Sequence, residues 1–374
     1  MYQSFEVSNY RCFSKLTLAE LERVNLVAGV NNVGKTALLE ALFVHCGAYN
    51  PALALRVNAF RGIETVKIEL GRWVETPWDS LFHQFDITKT IELAGENTVT
   101  GQRSLRLRVL REPSELARVA QFVNYGPDEA QKVLGSDESQ KVLDTSEMAK
   151  VLQLEYQEKG RHDSYYMIFD RKGVRTEPIP PPPPFPAFFL AARVRIPLAE
   201  DAERFGKLEI IGQQDVLLKA LQVIEPRLRR LAVVVAGGAP MVHGDIGLGR
   251  LVPLPVMGEG MARLASLVLT IGNTPNGVVL VDEIENGLHH SILPKVWRAI
   301  GEVARQFNTQ VFTTTHSLEC IVAAHRAFSE SECYDFRLHR LERVNETIRA
   351  VTYDQETLEA ALKQAWRCDN GRRD

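Results

Sequence analysis

Residues 29–36 read Gly-Val-Asn-Asn-Val-Gly-Lys-Thr and fit the pattern G-x-x-x-x-G-K-[ST] in full. No other feature narrows the fold as much. The pattern makes a phosphate cradle only where it follows a buried strand and opens a helix. Both conditions are met. VNLVAG (24–29) is a short apolar run of the buried-strand type, and KTALLEALFVHCGAY (35–49) carries apolar residues at helical spacing. Gly29 and Gly34 allow a tight turn, so the backbone of Asn31, Asn32, Val33, Gly34, Lys35, Thr36 and Ala37 wraps an anion. The helix opening near Lys35 aims its positive dipole end at the same point. Lys35 is expected to reach the β and γ phosphates, and the Thr36 hydroxyl to bind Mg²⁺.

The second half of the chain supplies acids at strand ends. It alternates helix (260–271), strand (277–284), helix (292–307) and strand (310–316), which implies a parallel α/β sheet. GVVLVDEI ends on Asp282-Glu283, and strand ends are where such a sheet presents its site. Asp282 suits a direct or indirect Mg²⁺ contact. Glu283 suits a general base or an orienting group for an attacking water. QVFTTTH brings His316 to the end of the next strand. Neighbouring strands lie about 5 Å apart, so His316 can face the same pocket and sense a phosphate.

The chain between these halves is different in character. TVKIELGRW (65–73), TKTIELAG (88–95) and SLRLRVLRE (104–112) alternate as antiparallel strands do. Residues 114–160 read as polar and helical, with QKVL at 131 echoed at 140. SYYMIFDRKGVRTEPI (164–179) reads as a hairpin turning at Lys172-Gly173. Pro180–Pro184 form a stiff strut, read as a connector back into the core. The tail from 337 to 366 reads as hairpin then helix.

Composition sets outer limits. In 374 residues, 45% are hydrophobic and 24% charged, enough for a sizeable core. A net charge of −3 gives no global field for nucleic acid, so any DNA contact needs a local patch, such as RLRRL (227–231) or the basic tail hairpin. Five cysteines without a CxxC suggest reduced thiols and a cytoplasmic protein. The N-terminus has no signal-peptide pattern, and no run is long enough to span a membrane.

Taken together, Gly29–Thr36, Asp282-Glu283 and His316 resemble the Walker A, Walker B and switch-histidine set of ATP-binding-cassette-type AAA ATPases. The opening FEVSNYRCF and GVNNVGKTALLEAL resemble the RecF/SMC-like branch. PVMGEGMARL, LVDEIENGLHHS and TTTHSLECI look like small stand-alone ATPases related to the OLD (overcoming lysogenization defect) family, without a TOPRIM domain. The resemblance implies a fold: α/β, a P-loop NTPase with an ABC-type head of mixed sheet and helices, and an inserted α+β subdomain. The expected divisions are 1–89 (Walker A half), 90–205 (an inserted arm for a partner) and 206–374 (signature, Walker B, switch histidine, tail).

The resemblance also implies an ATP-sandwich homodimer with ATP and Mg²⁺ bound. Residues 256–260 would be the signature loop, with Gly258, Glu259 and Gly260 meeting the partner's nucleotide. The usual signature serine is here Met257. Arg11 carries over as a phosphate or ribose contact. Gln84 is either the Mg²⁺-binding glutamine or a surface loop residue. His289-His290 are read as interface polar residues. The 246 residues between Lys35 and Asp282 hold no sustained heptads, unlike SMC arms. The 58 residues after His316 hold no Asp-x-Asp, so no TOPRIM nuclease is expected there. Three functions remain: a switch regulating a separate, possibly nuclease-like effector in anti-phage defence, a RecF-like repair ATPase that clamps DNA, and an ATP-binding scaffold. The intact Lys35, Asp282, Glu283 and His316 argue against the scaffold.

Overall fold

The computed structural model describes residues 1–63, 76, 78–119, 150–170 and 173–370. The strand expected at 65–73, the echo at 131 and 140, and most of the polar stretch lie outside them. In chain order the strands are β1 (Tyr2–Tyr10), β2 (Phe13–Leu18), β3 (Val24–Ala28), β4 (Ile91–Asn97), β5 (Gly101–Leu110), β6 (Lys150–Glu158), β7 (Arg161–Asp170), β8 (Gly173–Glu177), β9 (Ala187–Leu190), β10 (Arg230–Ala236), β11 (Ala239–Asp245), β12 (Val252–Pro253), β13 (Val278–Val281), β14 (Gln310–Thr315), β15 (Phe336–Val344) and β16 (Thr347–Tyr353). The helices are α1 (Lys35–Cys46), α2 (Leu53–Ala59), α3 (Pro113–Val119), α4 (Leu198–Ile210), α5 (Asp215–Gln222), α6 (Glu259–Gly272), α7 (Leu293–Gln306), α8 (Leu318–Ser329) and α9 (Gln355–Asn370).

The chain divides into two compact units. The first comprises Met1–Ser4, Leu18–Leu39 and Phe185–Asp374, the second Phe5–Thr17 and Glu40–Pro184. The divisions therefore fall elsewhere than at 90 and 205. The reason is strand pairing: β1 and β2 join β4 to β8 in one seven-stranded sheet, ordered β2-β1-β4-β5-β6-β7-β8. The opening hairpin thus groups with the middle of the chain rather than with the phosphate loop.

The first unit is built on a six-stranded sheet ordered β16-β15-β3-β14-β13-β9. β15, β3, β14, β13 and β9 run parallel, and β16 closes the edge antiparallel to β15. The sheet is mixed, as expected. Every residue of β3, β13 and β14 is buried, which explains their continuous apolar runs. Val24, Leu26, Val279, Val281 and Val311 join one core with α4 to α8, including Leu264, Leu267, Trp297 and Phe328. The alternation of Val24 with Leu26, and of Val279 with Val281, is the two-residue period of a strand face. AFFL (187–190), directly after the prolines, becomes edge strand β9, so Phe185 and Pro186 lead back into this sheet as a connector would. β10, β11 and β12 form a separate three-stranded sheet.

In the second unit β4 to β8 pair antiparallel in succession. Residues 150–158, expected to be helical, form strand β6. Val151, Leu152, Leu154 and Tyr156 are buried in it, so sheet packing overrides the polar composition of the stretch. RLRRL (227–231) lies beyond any helix. The helix stops at Gln222, and Arg230 opens strand β10. Among the described residues no helix is long and apolar enough to cross a membrane.

Candidate phosphate and acid site

β3 delivers the loop 29–34. Gly29 has φ 150°, and a Cβ there would meet the Leu341 carbonyl oxygen at 2.8 Å and Val33 Cγ1 at 2.8 Å. The β15 backbone thus approaches so closely that only glycine fits. Gly34 (φ 94°) and Asn32 (φ 63°) turn the chain into the left-handed region. Val33 is buried as the loop's anchor, while Val30, Asn31 and Asn32 are exposed. Arg343 Nη2 donates to the Asn32 carbonyl at 3.3 Å. α1 begins at Lys35 with Leu38 N–H donating to Gly34 O at 2.9 Å. Its apolar residues Ala37, Leu38 and Leu39 are buried and fix the helix axis.

Lys35 Nζ lies back on the loop. It donates to Gly29 O at 2.7 Å and Val30 O at 3.0 Å. Burial lowers its pKa, while Asp282, Glu283 and Glu285 pull it back up.

Two acids follow β13, and the first meets the opening turn of α1. Thr36 Oγ1 lies 3.1 Å from both carboxylate oxygens of Asp282. The middle member of this site is Thr314 on β14, the strand between β3 and β13. Its hydroxyl donates to Asp282 Oδ1 at 2.6 Å and accepts from the Glu283 N–H at 2.8 Å. One side chain therefore clamps both acids. Glu283 sits at φ 49°, an uncommon backbone for a non-glycine residue, held by that hydrogen bond. Its Oε2 accepts from Asn286 Nδ2 at 2.7 Å. His316 follows β14 directly, and its side chain is 51% exposed. Its Nδ1 lies 3.4 Å from Glu285 Oε1.

Gly258 (φ 131°) precedes α6, so Glu259 and Gly260 form that helix's first turn. Val256 is exposed at the preceding turn. A Cβ on Gly260 would make only ordinary contacts, the nearest at 3.4 Å to Gly287 O.

The structure thus brings together Gly29, Gly34, Lys35, Thr36, Asp282 and Glu283, with His316 at the neighbouring strand end. Arg11 and Gln84 belong to the second unit. Arg11 is taken up there by the buried Glu40, at 2.6 Å, and by Asn58 Oδ1 at 2.9 Å. Gln84 is exposed in a short turn at φ 56°. His289 and His290 are exposed, with ring centroids 4.1 Å apart.

Sequence reasoning missed Thr314, Glu285, Asn286 and Arg263. Arg263 on α6 reaches the Asp282 carbonyl at 3.5 Å. Two signals were available: a third acid in Asp-Glu-Ile-Glu, and a threonine run at the end of a buried strand. Among the described residues no cluster of three or more His, Cys, Asp or Glu side chains could hold a metal. Any divalent ion here would need phosphate oxygens as further ligands.

A family model described as "AAA domain, putative AbiEii toxin, Type IV TA system" matches residues 162–321, which include Asp282, Glu283 and His316. An "ATP/GTP phosphatase" of Helicobacter pylori (strain ATCC 700392 / 26695) is 22% identical over 390 residues, spanning 96% of this chain and 97% of the relative. Among solved structures, an SMC head bound to the C-winged helix domain of ScpA is 11% identical, covers 97% of this chain and 99% of its own, and gives a TM-score of 0.48. An SMC head with an extended coiled coil from Pyrococcus furiosus is 9% identical at the same coverage, with a TM-score of 0.47.

Proposed function

We propose that the chain is an ATP-hydrolysing switch related to the OLD-type ATPases, which closes on a second copy of itself and passes its state to a separate effector in anti-phage defence. One observation carries the enzymatic part. The Thr36 hydroxyl and the Asp282 carboxylate meet at 3.1 Å, directly beside the phosphate loop and Glu283. The likeness to the Helicobacter pylori ATP/GTP phosphatase supports it.

The donor set fits Mg²⁺, which takes one or two protein oxygens and completes its shell with water and phosphate. Thr36 and Asp282 would hold it, and when bound it neutralises charge on the β and γ oxygens. Lys35 exchanges its two loop carbonyls for β and γ phosphate oxygens. The N–H groups of 31–37 surround the same oxygens. Water attacks the γ phosphorus, the bond to the β–γ bridging oxygen breaks, and ADP leaves. Glu283 takes the proton of the attacking water, and His316 orients that water against the γ phosphate. The wild-type chain is expected to release phosphate from ATP with Mg²⁺ and to stop in excess EDTA. Equal rates in EDTA would remove Thr36 and Asp282 as metal ligands.

For the dimer, the loop before α6 is a second anion site, with Gly258, Glu259 and Gly260 acting on the partner's nucleotide. Gly260→Asp places a carboxylate toward that γ phosphate, and the local space accepts a Cβ. The variant is expected to bind ATP normally yet stay monomeric with a slowly hydrolysed analogue, as read by light scattering. A dimer as stable as wild type would take residues 256–260 out of the interface.

The DNA-clamp reading rests on the basic clusters, and several of their arginines already have acidic partners. Arg227 pairs with Glu225, Arg230 with Asp245, Arg337 with Glu22, and Arg340 and Arg349 with Glu342. Such pairs reduce the positive field offered to a phosphate backbone. The effector reading is therefore preferred.

A further inference from the structure

Glu285 makes a set of contacts that the mechanism above does not use. Its side chain is 12% exposed. Oε1 accepts from Thr315 Oγ1 at 2.7 Å and from the His316 backbone N–H at 3.2 Å, and lies 3.4 Å from His316 Nδ1. The Thr315 hydroxyl also accepts from the Ser317 N–H at 3.0 Å. Ser317 in turn caps α8, its Oγ accepting from the Cys320 N–H at 3.1 Å. The backbone N–H groups of His316 and Ser317 are thus held by Glu285 and Thr315, while the imidazole itself stands half exposed. Oε2 is buried and has no hydrogen-bond partner among the described residues. Burial lowers the pKa of Lys35 and of Arg263, and the charge of Glu285 is among those that pull both back up.

We infer that Glu285 is a positioning residue for His316, fixing both its place at the strand end and the tautomer of its ring. This rests on the reading of His316 as the water-orienting group. A carboxylate can only accept hydrogen bonds, so the ring nitrogen facing it carries the proton. At 3.4 Å Nδ1 is a close neighbour of Oε1 without a formed hydrogen bond; a small rotation of the half-exposed ring turns Nδ1–H onto Oε1, and the neutral ring then presents Nε2 as an acceptor. That atom can take an O–H of the attacking water and direct its lone pair at phosphorus. Histidine free in water prefers the opposite tautomer, with the proton on Nε2, and would present a donor. A buried acid holding an imidazole in one tautomer is a known way to set its chemistry. A carboxylate serving only to anchor the 315–317 turn would need the two hydrogen bonds to Thr315 and the backbone. It would leave the ring nitrogens indifferent.

The test separates these roles. The ¹⁵N resonances of His316 in the nucleotide-free protein, assigned by difference from His316→Ala, report the tautomer directly. Wild type is expected to carry the proton on Nδ1, Glu285→Gln to keep it there through the amide oxygen, and Glu285→Ala to move it to Nε2. In steady-state ATP hydrolysis Glu285→Ala is expected to lose on the order of tenfold in kcat, with KM within about twofold. Glu285→Gln should lose less. Adding Glu285→Ala to His316→Ala should cost nothing further, because one residue acts through the other. Wild-type His316 protonated on Nε2, or additive losses in the double variant, would overturn the inference. Full activity in His316→Ala would instead remove His316 from the reaction, while the tautomer still decides whether Glu285 holds it.

Discussion

Lys35→Ala is expected to lose ATP binding, with affinity falling on the order of 100-fold or more, while the fold stays intact. The two halves of that statement have separate causes. Within the fold Nζ donates to the carbonyls of Gly29 and Val30, and Val30 is exposed, so water can replace it at little cost. The apolar anchors Val33, Ala37, Leu38 and Leu39 remain. In the proposed ATP-bound state the same atom would be the main protein cation on the β and γ phosphates. Removing one partner of such a charge pair costs about 2–5 kcal/mol, which converts to a loss of roughly 30-fold to several thousandfold. Titration calorimetry with ATP, paired with a melting curve, is the check. Lys35→Arg should fail as well, since a planar guanidinium cannot place a compact charge where the ammonium sits. Near-normal ATP affinity in Lys35→Ala would show that residues 29–36 are a structural turn rather than a phosphate cradle.

How much of this could be read in advance follows from where the information lies along the chain. The strand, loop and helix around residues 29–36 were legible because all their parts are consecutive. Gly29 must be glycine for a reason the sequence states, a tight turn, and for one it does not. The Leu341 carbonyl lies against it from a strand more than 300 residues away in the sequence. Asp282 and Glu283 were legible because a buried strand ends on them. Thr314 was not, because a threonine inside a buried run reads as β-propensity until the strand order places β14 between β3 and β13. The two compact units group the strands differently from the expected divisions for the same kind of reason. β1 and β2 look like the start of the phosphate-binding half, yet their sheet is completed by strands from Ile91 onward. Residues 150–158 are rich in Gln, Glu and Lys, and only pairing with β5 and β7 makes them a strand. Local chemistry was readable, and non-local pairing was not.

Glu283→Gln is expected to slow ATP hydrolysis by about 10²–10⁴, the usual contribution of a positioned general base, while leaving ATP affinity near wild type. The geometry makes this a clean substitution. Glutamine has the same shape, and its amide oxygen can accept from Asn286 Nδ2 as Oε2 does now at 2.7 Å. The backbone at φ 49° is held by Thr314 Oγ1 through the residue's own N–H, which the change does not touch. Thr36, Asp282 and Lys35 keep their places, so the nucleotide should still bind. Only the ability to take a proton is lost. Because ATP then persists, the variant should accumulate as the nucleotide-bound dimer, with light scattering showing twice the mass in ATP but not in ADP. Asp282→Asn provides the contrast. It should weaken Mg²⁺·ATP binding itself, since it removes a charge from the group that meets Thr36 and Thr314. If Glu283→Gln released phosphate at the wild-type rate, the proton acceptor would have to be another group, and the buried carboxylate of Glu285 would be the next to test.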